Sequence, residues 1–199
     1  PAQPNQQQAK IQLVLTSRSR WLPLCQALQR RQFHVVNIQP EEWLPRNLLP
    51  KQAAAVMVLT HLPGQELSLQ IIQQGAVFFS RKLRGFQRFD QYEFTELQQG
   101  LLDNLLLEVQ RSLDYFEGQL RQAPVKEILF ILASPTLPAI VEYFAKNGFG
   151  QVQALPFGRW LKPPVGRGAP TMAELTSSWP VLAGALELLQ EEGLDEAQS

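Results

Sequence analysis

AAAVMVLTHLPGQELSLQIIQQGAVFFSRKL, residues 53–83, decides the fold class. Three short runs rich in aliphatic and β-branched residues, 53–60, 67–73 and 76–83, are separated by LPGQE and by QQG. Apolar runs this short, bounded by Pro and Gly, read as strands, because a helix needs about ten residues or more to bury a useful face. Gly75 stands where a hairpin needs positive φ, which a residue without Cβ adopts at no steric cost. Three strands joined by tight turns, followed by alternating helices and strands, imply layered α/β with a mixed sheet.

Downstream, ELQQGLLDNLLLEVQRSLDYFEGQLR at 96–121 predicts a long helix. Leu102, Leu106, Val109, Leu113, Phe116 and Leu120 recur at helical spacing, and Gly100 softens the first turns. VKEILFILA at 125–133 predicts a central strand ending at Ser134 and Pro135. LPAIVEYFAKNGFG predicts a helix closed by Gly148, and GQVQALPF the next strand. Residues 158–173 read as loop, and a last helix spans 172–190 with a break or first turn at Pro180. Upstream, IQLVLT at 11–16 and FHVVNI at 33–38 read as strands flanking a short helix whose Leu22, Cys25 and Leu28 face inward. The expected organisation is a disordered 1–9, a small strand–helix–strand subdomain with connector at 10–50, a main lobe at 51–190 and a flexible acidic tail at 191–199.

The 199 residues suffice for one substantial core. The 18 basic and 18 acidic side chains cancel, which argues against a bulk electrostatic nucleic-acid binder. The balance hides an asymmetry: residues 1–99 carry +5 and residues 100–199 carry −5. Cys25 is the only cysteine, so there is no internal disulfide framework and no cysteine-based zinc cluster. No run of 18 apolar residues is present, and a reducing compartment is the simplest setting.

Candidate chemistry is sparse. His34 lies within a strand-like run, and His61 precedes a turn with no Cys or Asp beside it in sequence, so both read as structural. Cys25 reads as a core thiol, and Ser134 lacks the G-x-S-x-G context of a nucleophile. There is no GxxxxGK[ST] and no GxGxxG. Arg81, Lys82, Arg84 and Arg88 interleave with Phe79, Phe86 and Phe89. Arg81, Arg84 and Arg88 are therefore candidate anion- or protein-binding residues, with an ordinary solvated face as the alternative. Glu108 and Arg111 form an i,i+3 pair on the long helix.

The segment LLLEVQRSLDYFEGQL at 105–120 resembles the L-E-[IV]-Q-R-S-L-D-Y-[FY] helix of the PilM-like proteins of type IV pilus assembly, nearest to the MshI-like branch of the mannose-sensitive haemagglutinin (MSHA) pilus. QGAVFFSRKLRG at 74–85, FHVVNIQPEEWLPRNLL at 33–49 and the run from Val125 to Phe157 resemble neighbouring elements of the same family. The resemblance implies an actin-like, ribonuclease-H-like fold of two lobes around a nucleotide cleft. This chain would be incomplete at its N-terminus, holding the second lobe and part of an inserted subdomain. It places the family's Asp-x-Gly phosphate turn at THLPGQ, 60–65, where no Asp precedes Gly64, and its paired glycines at Ala133, Ser134 and Pro135. Glu108 and Arg111 fall on the Glu-x-x-Arg positions that face the nucleoside, as remnant cofactor contacts.

The implied function is a non-catalytic cytoplasmic scaffold, peripheral to the inner membrane. Its implied partners are a PilN-like membrane protein and pilus platform components, with homo-oligomers allowed and no nucleic acid. No metal site or catalytic residue is expected, and no cofactor unless a working cleft holds ATP and Mg. The alternatives are a nucleotide-binding ATPase of the same machinery and an unrelated α/β interaction domain.

Overall fold

The computed structural model describes residues 15–51, 54–159, 169 and 171–196. The chain forms two compact units, residues 1–40 and 41–199. In the first, helix α1 (Arg18–Arg30) carries Pro23 inside it and buries none of its residues. Cys25 is half-buried and His34 exposed, so the expected core thiol is not found. Residues 33–38 belong to no strand, and Phe33, Val36 and Ile38 are exposed. Among the described residues, the predicted strand there has no ladder partner. The other predicted strand, 11–16, lies largely outside the described residues, as do residues 1–9.

In the second unit, a 3₁₀ helix (Glu41–Leu48) comes first. Its Asn47 and Leu48 are buried, and the Asn47 side-chain amide donates to the Ala183 carbonyl at 3.1 Å. This packing moves the unit boundary from the expected 50 to 40. Strands β1 (Val56–Thr60), β2 (Leu67–Gln73) and β3 (Ala76–Leu83) follow, the second and third with the predicted bounds. Next come helices α2 (Phe94–Leu97) and α3 (Leu101–Asp114), a π-helical turn (Tyr115–Gln119), strand β4 (Glu127–Ile131), helix α4 (Leu137–Lys146) and strand β5 (Val152–Ala154). Helices α5 (Met172–Ser177) and α6 (Trp179–Glu196) end the described chain.

The predicted single helix over 96–121 is thus divided. Gly100, at φ 107°, puts a left-handed residue between α2 and α3 that almost any side chain would strain. The terminal break falls at Ser178, with Pro180 in the first turn of α6. There its missing N–H costs no helical hydrogen bond. Residues 191–196, expected to be a loose tail, are helical. Most of the predicted loop at 158–173 lies outside the described residues.

The sheet runs β3-β2-β1-β4-β5, and β2 alone is antiparallel to the rest. This is the order and polarity of a ribonuclease-H-like sheet, the unit on which actin-like lobes are built. Alternation along the strands divides the core into two layers. Met57, Leu59, Leu69, Ile71, Ile128 and Phe130 pack with Leu102, Leu105 and Val109 of α3 and Phe144 of α4. Val56, Val58, Leu129 and Ile131 pack on the other face with Leu48, Trp179 and Ala183. The α3 stripe is Leu102, Leu105, Val109, Ser112 and Phe116. Leu106, Leu113 and Leu120, predicted inward, are only partly buried.

A candidate cleft and a charged groove

β1 and β4 are parallel neighbours, so the backbone following each lies at one end of the sheet, joined by the His61 N–H donating to the Ile131 carbonyl at 3.0 Å. After β1, Pro63 and Gly64 occupy the corners of a turn in which the Gln65 N–H donates to the Leu62 carbonyl at 3.0 Å. Gly64, at φ 76°, supplies the positive φ that the type II geometry requires at that corner. After β4, the Ser134 hydroxyl accepts the Thr136 N–H at 3.2 Å and lies 2.8 Å from the Thr136 hydroxyl, while the Leu137 N–H donates to the Ser134 carbonyl at 3.2 Å. Pro135 has no N–H to offer. In both turns, these N–H donors are engaged within the chain.

The sequence places no Asp beside His61, yet the fold supplies one. The buried His61 ring has Nδ1 3.8 Å from an Asp90 carboxylate oxygen and Nε2 3.3 Å from the Gln87 carbonyl. Asp90 arrives because the connection after β3 folds back. Glu66 accepts the Phe86 N–H at 3.2 Å and the Gln87 side-chain amide. Phe86 and Phe89 anchor this connection as core residues, so they are no stacking platform. Among the described residues, no three His, Cys, Asp or Glu side chains are placed to hold a metal ion.

The second feature is a groove of about 590 Å³ between β3 and α3. Its walls include Arg81, Arg84, Leu101, Leu107, Glu108 and Arg111. Two sets of residues singled out in the sequence for different reasons therefore meet in one place. Phe79 packs toward α3 with its ring centroid 5.4 Å from that of Tyr115. Arg81, two residues on, emerges on the same side of the strand. Its Nη2 reaches the Glu108 carboxylate and, at 3.3 Å, the Glu108 backbone oxygen. The other Glu108 carboxylate oxygen accepts from Arg111 Nη1 at 2.9 Å. Burial, and then the adjacent positive charge of Arg111, lower the pKa of the Arg81 guanidinium.

Lys82 lines the groove as well and pairs with Glu42 at 3.3 Å. Arg84 is exposed and makes no ion pair among the described residues. Arg88 is exposed and does not line the groove, in contrast to Arg81 and Arg84. The Arg81–Glu108 contact was available to sequence reasoning only by combining period two on β3 with the helix register of α3.

Among the described residues, no helix is long and apolar enough to cross a membrane. No protein-family model and no curated protein matches the chain. Among solved structures, a PilM-PilN type IV pilus biogenesis complex aligns with TM-score 0.43 and 14% identity, covering 69% of this chain and 48% of that chain. The ethanolamine utilization protein EutJ from Carboxydothermus hydrogenoformans aligns with TM-score 0.44 and 12% identity, covering 70% of this chain and 57% of its own. The chain spans about half the length of each. Both scores lie below 0.5, so the fold assignment rests on the order and direction of the strands.

Proposed function

We propose that this chain is the second lobe of a PilM-like protein, of the MSHA pilus branch, and serves type IV pilus assembly as a non-catalytic scaffold. Its partner in this reading is the cytoplasmic segment of a PilN-like inner-membrane protein, which would hold the scaffold at the membrane face. The likeness of residues 105–120 to the PilM-like helix motivates the family. The observation that carries the absence of catalysis is the closure of both turns at the carboxyl end of β1 and β4, one through its own Leu62–Gln65 hydrogen bond and one through Ser134, Pro135 and Thr136. Phosphate recognition by loops needs several N–H groups directed outward together, and here those of Gln65, Thr136 and Leu137 are held by Leu62 and Ser134 while Pro63 and Pro135 have none.

The competing reading, a nucleotide-binding ATPase, draws on Glu108 and Arg111 lining a groove large enough for a small ligand. Calorimetric titration of Mg-ATP separates the two. The scaffold reading expects no saturable heat from the folded chain, and saturable binding that weakens in an Arg111→Ala variant would replace it with the ATPase reading. A PilN-like cytoplasmic segment immobilised on a sensor surface is expected to retain the chain, and absence of retention by the folded protein would remove the pilus assignment.

A further inference from the structure

We infer that the groove between β3 and α3 is the seat of a short acidic, amphipathic peptide segment, whose carboxylates meet Arg84 and Arg111 while an apolar side chain rests on Leu107. The partner class depends on the scaffold reading, but the site itself is argued from charge and surface alone.

Four cations line the groove, Arg81, Lys82, Arg84 and Arg111, against the single carboxylate of Glu108. That carboxylate is already divided between Arg81 and Arg111, and Lys82 has Glu42. The uncompensated positive charge therefore belongs to Arg84 and to the outer part of Arg111, whose side chain is 68% exposed. A negative ligand is attracted, and guanidinium forks favour planar carboxylates. The α3 wall adds apolar surface near Arg111: Leu107 is 55% exposed while the other leucines of that helix are buried or half-buried, and half-buried Leu101 also lines the groove. An isolated phosphate has no use for that wall, whereas a peptide alternating acidic and apolar side chains fits both.

Concavity weighs against a lipid surface. A flat anionic membrane would meet Arg84 and Arg88 together, yet only Arg84 belongs to the groove. The Arg81 guanidinium meets two oxygens of Glu108, and its buried Nε has no hydrogen-bond partner among the described residues. One donor is thereby left for a ligand that shifts Glu108.

The probe is a capped peptide of alternating Glu and Leu, titrated by calorimetry, beside the same peptide with Gln for Glu, Mg-ATP, and phosphatidylglycerol vesicles. Saturable binding of the acidic peptide is expected, weakened about tenfold or more by Arg84→Glu with Arg111→Glu and several-fold by Leu107→Ser. Arg88→Glu should leave it unchanged, and added salt should weaken it. All these positions are exposed, and each variant's melting temperature confirms that it is folded. No binding of the acidic peptide overturns the inference. So does equal loss in Arg88→Glu, which marks a diffuse patch, and so does binding of the vesicles or of Mg-ATP in place of the peptide. Absence of peptide binding, equal loss in Arg88→Glu or vesicle binding leaves the scaffold reading standing, whereas Mg-ATP binding removes both, so the two failures are told apart.

Discussion

The carboxyl end of the sheet and the β3–α3 groove are two candidate sites built from different materials. At the first, the chemistry belongs to the backbone: Gln65, Thr136 and Leu137 donate their N–H groups to neighbours a few residues away. At the second it belongs to side chains, with one carboxylate bridging two guanidinium groups. A bonded turn releases its N–H only by changing φ and ψ. A guanidinium changes partner by rotating side-chain torsions, at little cost to the fold. The first region is committed by covalent geometry, and the second remains adaptable.

Four measurements test that contrast. The largest effect is expected from Leu105→Ala, which empties fully buried volume beneath the groove wall. It should cost about 2–5 kcal/mol in urea unfolding. A cost under about 1 kcal/mol would mean that α3 is loosely held and the groove has no fixed wall. Gly64→Ala comes next. Nothing lies within 4 Å of the added Cβ, so the loss of about 1–2 kcal/mol is that of the left-handed backbone alone. An unchanged stability would show that the turn can take another form and is not committed.

Glu108→Gln should cost within about 1 kcal/mol, because the Arg81 and Glu108 side chains are 32% and 28% exposed and solvent screens the pair. The difference should shrink further at high salt, and a salt-independent loss would place the pair in a much drier setting than its exposure implies. The smallest effect concerns Tyr143 of α4, whose hydroxyl donates to Asp103 of α3 at 2.5 Å and so links the groove wall to the helix after β4. The hydrogen bond to Asp103, then burial, then the Asp103 charge raise the Tyr143 pKa. A raised value in the folded state stabilises below the unfolded tyrosine pKa, and this is lost as pH rises through the folded value. Stability should therefore fall with alkaline pH slightly more in the parent than in Tyr143→Phe. Identical profiles would remove the link between the two regions.

Much of the sheet was legible because its signals are local. The bounds of β2 and β3 follow from short apolar runs bounded by the LPGQE and QQG turns and from Gly75, which with Gln74 has positive φ at the hairpin corner. The two-layer burial of β1 and β4 follows from continuous aliphatic runs. What failed was context. FHVVNI has strand composition, but composition provides no neighbour to bond. The α2–α3 break is not visible to helix propensity, which counts Gly100 as a modest penalty, whereas its left-handed backbone stops the helix. At the site, Glu108 and Arg111 were legible as a pair by spacing, whereas Arg81 joins them across 27 positions. Asp90 reaches His61 in the same way, through a connection whose buried Phe86 and Phe89 looked like surface aromatics.

The position of β1 has a consequence for how the chain folds. Val56 pairs with Ile72 on one side and with Glu127 on the other. The first partner comes through a nearby hairpin, which forms within microseconds. The second must wait for α3 and everything between, and nonlocal parallel pairing is slow. Until it arrives, VMVLT at 56–60, uncharged and rich in β-branched residues, presents an open strand edge of the kind that captures other chains. During synthesis that edge closes only once Ile131 has left the ribosome, so yield should depend on chaperone supply before that point and much less after it.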